Sequence, residues 1–201
     1  MQLSSTLPFS QASENNKLPI LEILRPHLTE VHSVLEIGSG TGQHGEFFVD
    51  QFPALNWNCS DIPSNISLTK QRITARGLAN FPEAIALDVN EPIWNCGFHD
   101  CVFSANSLHI MSEISVTSFF RGLYQCLTKN GLLFLYGPFK YGGEFTTESN
   151  AHFDDWLKQK DPLSGIRDFE TIMKLATDAG LMFLEDNPMP ANNQLLLFKL
   201  L

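Results

Sequence analysis

The sequence is short of positive charge. Its 201 residues hold 13 Lys and Arg against 22 Asp and Glu, a formal net charge of −9, and the cations never form a run. Surfaces that follow a phosphate backbone or an anionic bilayer are built from clustered Lys and Arg, so neither nucleic acid nor membrane is expected as a partner. Cysteine is scarce as well. Cys59, Cys96, Cys101 and Cys126 form no C-x-x-C pair, and no two histidines stand at ligand spacing, so no metal site is expected. Cys59, Cys101 and Cys126 lie in apolar segments and read as buried thiols. No apolar run approaches the roughly 20 residues of a membrane span. The N-terminus is polar, without the basic start and apolar stretch of a secretion signal, which makes a reducing cytoplasm the expected compartment. Repeats and low-complexity tracts are absent. A hydrophobic share of 43% suffices for a full core, and one domain over 1–201 is the expectation.

Glycine, by contrast, is concentrated in one place. A short apolar run at 34–37 reads as a buried strand, and Gly38, Gly40 and Gly42 follow it at alternate positions. A helical pattern then opens, with Phe47 and Phe48 on its apolar face. Strand, glycine loop and helix make the first half of a βαβ unit, in which the backbone must turn sharply and let a ligand approach it. Two ligands compete for this loop. Gly40-x-Gly42-x-x-Gly45 matches a dinucleotide fingerprint, and Asp61 lies about 20 residues on, as that fingerprint asks. Glu36, two residues before the first glycine, argues the other way: a carboxylate facing a pyrophosphate would repel it, whereas it suits a cationic ligand without phosphate. S-adenosylmethionine, with a sulfonium, an ammonium and a ribose diol, is such a ligand. The pattern E-x-G-x-G-x-G over 36–42 resembles motif I of the class I methyltransferases.

The rest of the chain reads as alternating elements. A short helix is expected over 18–26, with Pro19 in its first turn, after a polar leader whose first residues fray. Strands are expected at 55–60, 84–87, 100–104 and 132–136, and helices at 63–76, 112–127 and 167–179, the last closed by Gly180. Strands at 182–185 and 194–200 are joined too closely for a crossover helix and must form an antiparallel hairpin. The expected fold is therefore α/β, a Rossmann-like doubly wound sheet of seven strands with one antiparallel strand, the class I methyltransferase arrangement.

In such sheets ligands sit beyond the carboxyl ends of the strands. Glu36, Asp61 and Asp88 fall at three of those ends. Asp61, followed by Ile62, can accept from both ribose hydroxyls. Asp88 can accept from the adenine amine, with Leu87 and Val89 against the ring. Glu36 favours the positive methionine end, and Gly38, Ser39, Gly40 and Gly42 form the loop beside it. After the fourth strand, Asn106 is placed to hold the methionine ammonium or a substrate, and His109 to act as a general base.

The second half resembles a narrower group. Segments 137–140, 149–154, 165–168 and 189–193 are similar to the family catalogued as methyltransferase-like 26, or domain of unknown function 938, from about Pro8 to the C-terminus. That group usually reads Arg-Asn where this chain has Asn15 and Asn16. The resemblance implies the fold and S-adenosylmethionine as cofactor, and leaves the acceptor unnamed. Lys140 and Arg167 are the cations expected near a small-molecule acceptor, with Lys140 grouped with His109 and Asn106 as catalytic. Phe139, Asn150, Arg167, Asn192 and Asn193 are the expected acceptor contacts, with Phe153 and Trp156 as a roof. Residues 138–166 and the loop at 188–193 are expected to cover the acceptor as a lid hinged at Gly142 and Gly143. The expected function is methyl transfer from S-adenosylmethionine to a small or medium-sized molecule. The alternatives are a non-catalytic cofactor-binding module and an NAD-dependent oxidoreductase.

Overall fold

A computed structural model describes residues 7–201; the leader expected to fray lies, for residues 1–6, outside the described residues. The first helix is longer than the apolar spacing predicts. α1 runs Gln11–His27, with the Ser10 hydroxyl accepting the Ser13 N–H as its cap, so Pro19 falls in mid-helix and not in the first turn. The apolar side of α1 (Ile20, Leu21, Leu24) packs on the sheet, while its polar first half turns toward the ligand edge described below.

The parallel strands are β1 (Ser33–Ile37), β2 (Asn56–Asp61), β3 (Ile85–Ala86), β4 (His99–Ala105) and β5 (Leu127–Gly137). The helices between them are α2 (Gln43–Gln51), α3 (Ile66–Arg76) and α4 (Glu113–Gly122). α4 is shorter than expected: a 3-10 turn at Leu123–Gln125 follows it, and Cys126 and Leu127 are drawn into the sheet side. The segment after β5 forms a small second sheet, β6 (Phe139–Tyr141), β7 (Glu144–Phe145) and β8 (Arg167–Asp168), with α5 (Glu148–Lys160) packed beside it. α6 (Phe169–Asp178), β9 (Leu181–Met189) and β10 (Asn193–Leu200) complete the chain.

The main sheet has seven strands in the order β3-β2-β1-β4-β5-β10-β9. β10 alone runs against its neighbours, and it lies inside the edge, antiparallel to both β5 and β9. Two apolar layers cover the sheet's faces, one centred on Phe48, Trp57 and Phe103, the other on Phe119, Phe120 and Phe198. The four cysteines are all buried and free. Because β1, β2 and β4 are parallel and in register, their ends Ile37, Asp61 and Ala105 open on one edge. No helix among the described residues is long and apolar enough to cross a membrane.

Candidate active site

Two cavities lie side by side on that edge. The smaller, about 520 Å³, is lined by Asp61, Ile62, Leu87, Asp88 and Val89 from the β2 and β3 ends, and by Ile110 and Met111 after β4. The larger, about 730 Å³, lies between the glycine loop, the polar half of α1, α5 and the β9–β10 turn. Gly38, Gly40, Asn106, Ser107 and Ile110 line both.

The glycine loop is held from three sides. The Gly38 and Ser39 N–H groups donate to the Ser60 carbonyl at 3.0 and 2.9 Å. The Gly40 carbonyl accepts the Thr69 hydroxyl at 2.8 Å, and the Thr41 carbonyl accepts Arg72 Nε at 2.7 Å. The backbone at Gly38 has φ +79°, and a Cβ there would lie 2.4 Å from Ser107 Oγ. A Cβ on Gly40, φ +55°, would instead meet no atom within 4 Å and would project into open space. Gly42 lines neither cavity: it is the left-handed cap of α2, fixed against Thr69. Gly45, which completed the dinucleotide pattern, is a packing glycine whose Cβ would lie 2.6 Å from Cys59 Sγ.

Asp61 is where the sequence placed it. Its Oδ2 accepts the Gly40 N–H at 2.7 Å and its Oδ1 accepts the Ile62 N–H at 2.8 Å, leaving each oxygen a lone pair for a diol. Asp88 also lines the smaller cavity, with Oδ1 engaged by the Asn90 backbone and side-chain N–H groups at 2.9 Å. Asn106 has φ +55°, unusual for a residue with a Cβ, and its backbone N–H donates to the Tyr136 carbonyl at 2.8 Å. That turn places it on the wall common to both cavities.

Glu36 departs from expectation. It is 1% exposed and lines neither cavity. Its Oε2 accepts Trp57 Nε1–H at 2.7 Å and the Cys59 thiol at 3.3 Å. Burial raises its pKa to about 7 against the lowering effect of those bonds. The side chain thus turns beneath the loop into the core, because β1 alternates its faces and Trp57 on β2 offers a buried donor. His44 stands between Glu36 and the larger cavity, Nδ1 3.9 Å from Glu36 Oε1.

The acceptor contacts divide. Asn150, Asn193, Phe153 and Trp156 line the larger cavity, with Phe153 and Trp156 stacked at 5.8 Å between centroids. His109 lines it too, its ring set edge-on to Phe153 and its pKa lowered to about 4 by burial and by the charge of Arg167. Asn192 stands behind the wall. Its carbonyl accepts Asn150 Nδ2–H at 3.1 Å, and its own amide donates to Ser149 Oγ at 3.1 Å. Phe139 is 2% exposed core and touches neither cavity. Lys140 lies over the Phe145 ring at 5.5 Å, on the small sheet, and lines neither cavity, contrary to the expectation that grouped it with His109 and Asn106. Arg167 is a brace: it donates to the carbonyls of Leu108, Met111 and Leu163 and fixes the segment that carries His109. Gly142 and Gly143 sit at the exposed β6–β7 turn with their N–H groups tied to Glu170 and Asp168, which removes them as a hinge.

The sequence reading missed the contribution of α1 and β5. Ser13, Asn15, Asn16, His44 and Tyr136 all line the larger cavity. Asn16 is the informative one: His44 Nε2–H donates to its Oδ1 at 2.6 Å. Its one signal in the sequence is its place in the polar first half of α1, next to Asn15, where the chain departs from the family pattern.

A sequence profile of the family described as a protein of unknown function, DUF938, matches residues 7–200. Among solved structures, an O-methyltransferase family protein from Burkholderia thailandensis superposes with a TM-score of 0.82 at 16% identity, over 94% of this chain and 57% of that one. The apo form of the S-adenosylmethionine-dependent methyltransferase SibL gives 0.77 at 21% identity, over 94% and 55%. PigF with SAH gives 0.69 at 15% identity, over 92% and 59%. The chain thus spans little more than half the length of these solved proteins. Its sheet order, reversed β10 and glycine loop are those of the class I methyltransferase fold, and the chain belongs to the DUF938 family.

Proposed function

We propose that this protein is an S-adenosylmethionine-dependent methyltransferase acting on a small or medium-sized molecule. The observation that carries the reading is the shared wall at Gly38, Gly40 and Asn106, which joins the cavity at Asp61, Asp88 and Val89 to a second, larger one. Asp61 would hold the ribose diol. Ile62, Leu87 and Val89 would sandwich the purine, Asp88 would accept from its amine, and Gly38, Ser39 and Asn106 would flank the methionyl arm. When bound there, S-adenosylmethionine supplies a methyl group activated by its positive sulfur. Glu36 takes no direct part, so its carboxylate does not bar a pyrophosphate, and Gly45, packed against β2, fits a dinucleotide loop equally well; the fold of the relatives weighs toward S-adenosylmethionine instead.

The chain's own residues have a limited task. Most of the rate would come from holding donor and acceptor in line across the Asn106 wall. Gly38, Ser39 and Asn106 would hold the methionyl arm, and the cofactor would supply its methyl group to the acceptor's lone pair, the bonding electrons remaining with its sulfur. The acceptor's proton passes to His109, which is neutral near pH 7 and makes no side-chain hydrogen bond among the described residues. As a weak base it would take that proton during the transfer and not before it. An open cavity on the acceptor side favours catalysis over a scaffold role.

Titration calorimetry with S-adenosylhomocysteine tests the reading. Wild type should bind, and Asp61→Ala should bind about a hundredfold more weakly. No heat from protein shown to be folded by circular dichroism, or tighter binding of NADH in the same cell, would sink it.

A further inference from the structure

Among the described residues, no Asp, Glu, Lys or Arg lines the larger cavity. Its titratable residues are His44, His109 and Tyr136: both histidines are neutral near pH 7, with pKa lowered to about 4 chiefly by burial, and burial raises that of Tyr136. Glu36 lies behind His44, the Asp61 carboxylate is engaged by the Gly40 N–H, and Arg167 spends its guanidinium on three backbone carbonyls. A charged acceptor entering this space would lose hydration without meeting an ionised side chain on the wall. The glycine-loop end is taken, on the reading above, by the methionyl arm, so the α5 and β10 side is left for the acceptor.

That side has a definite chemistry. Phe153 and Trp156 stack on one another at an interplanar angle of 15° and together give this side of the cavity an aromatic wall. The amides beside it offer oxygens. Asn150 spends its N–H groups on Thr146 Oγ1 and the Asn192 carbonyl. Asn193 spends its own on the Pro190 and Ala191 carbonyls. Asn150 Oδ1 makes no hydrogen bond among the described residues, Asn193 adds an amide that meets the Tyr136 hydroxyl, and His109 adds a ring nitrogen.

We infer that the acceptor is an uncharged aromatic molecule bearing a hydroxyl or N–H donor, its ring laid against Phe153 and Trp156 and its donor directed to Asn150, Asn193 or His109. This rests on the methyltransferase reading. The same donor group is the nucleophile: it gives its proton to His109 as its lone pair takes the methyl group.

The experiment is a calorimetric panel on the full chain, first with S-adenosylhomocysteine, then with that ligand saturating. The probes share one ring and differ in charge and donor: 2-naphthol, 2-methoxynaphthalene, 2-naphthoate and 2-naphthylmethylammonium. We expect 2-naphthol to bind best, both charged probes to bind at least about tenfold more weakly, and 2-methoxynaphthalene to fall between. Trp156→Ala, at a half-exposed position that leaves the core intact, should weaken 2-naphthol severalfold and leave S-adenosylhomocysteine unchanged. Equal or tighter binding of either charged probe, no binding of 2-naphthol, or indifference to Trp156→Ala would overturn the inference. Failure in the S-adenosylhomocysteine arm reports on the cofactor reading instead, and the probes are then titrated into the protein alone.

Discussion

His44 and Asn16, 28 residues apart, are joined by a hydrogen bond of 2.6 Å that ties α2, opening at the glycine loop, to α1. Both side chains are buried, and His44 stacks on Phe48 at 5.9 Å. Since Asn16 presents its oxygen, neutral His44 carries its proton on Nε2. Asn16→Ala strands that N–H and should cost about 1–3 kcal/mol in urea unfolding. In a His44→Phe background, with no N–H left to strand, the same substitution should cost clearly less. Equal costs in the two backgrounds would mean the bond does not couple the helices.

Glu36 makes stability depend on pH in the direction opposite to most carboxylates. Its folded pKa is raised from 4.5 to about 7, so between those values the folded state holds a proton that the unfolded state has lost. The stability it lends is complete below pH 4.5 and disappears as pH rises through 7, an effect of about 3 kcal/mol. Glu36→Gln keeps an acceptor for Trp57 and removes this titration. Relative to wild type, the variant should therefore gain stability from pH 5 to pH 8 in chemical unfolding; a flat difference would place Glu36 outside the low-dielectric core.

For His109 the sign is reversed. Its pKa is lowered from 6.5 to about 4, so acid conditions between those values favour the unfolded state, which takes the proton more readily. Burial is the larger cause, the Arg167 charge the smaller. The His109 Cε1–H resonance should titrate near pH 4 in wild type. In Arg167→Met its midpoint should move up, while stability falls through loss of the carbonyl contacts; an unchanged midpoint would show that the charge is screened.

Gly38 and Gly40 should separate folding from binding. Both have positive φ, but a Cβ on Gly38 would displace Ser107 Oγ from the Gly38 and Ala105 carbonyls, whereas one on Gly40 would enter empty space. Gly38→Ala should cost about 3 kcal/mol and Gly40→Ala about 1 kcal/mol. Gly40→Ala should nonetheless weaken S-adenosylhomocysteine by tenfold or more, because its methyl group occupies the cavity. Unfolding and calorimetry on the pair check both halves, and a reversed order of cost would contradict the geometry.

The sheet and its nucleoside side were legible because local signals specify them: an apolar strand, alternate glycines, an acid at a strand end. Asp61, Asp88 and Val89 fall where the sequence put them because a strand end has one place in a parallel sheet. Side-chain direction was not legible. Glu36 read as a ligand group because nothing local reveals that Trp57, on the next strand, offers it a buried donor. Lys140, Arg167 and Phe139 lie in family-like segments expected at the cofactor end of the sheet, but the small β6–β7–β8 sheet turns them away, and only the tertiary path shows that. The polar half of α1 was missed because its partners, His44 and Tyr136, lie far off in sequence.

The reversal of β10 has a consequence for how specificity can change. Gln194, at its start, pairs with Gly137 at the end of β5, so the Pro190–Asn192 turn stands at the larger cavity and joins the edge strand β9 to β10, which is paired on both sides. Parallel strands present only their exits to a ligand; a reversed one adds an entrance, and with it a hairpin tip free to lengthen or shorten. Residues could be gained or lost at that tip without shifting a single strand register, which makes it the place where one scaffold can be refitted to a different acceptor.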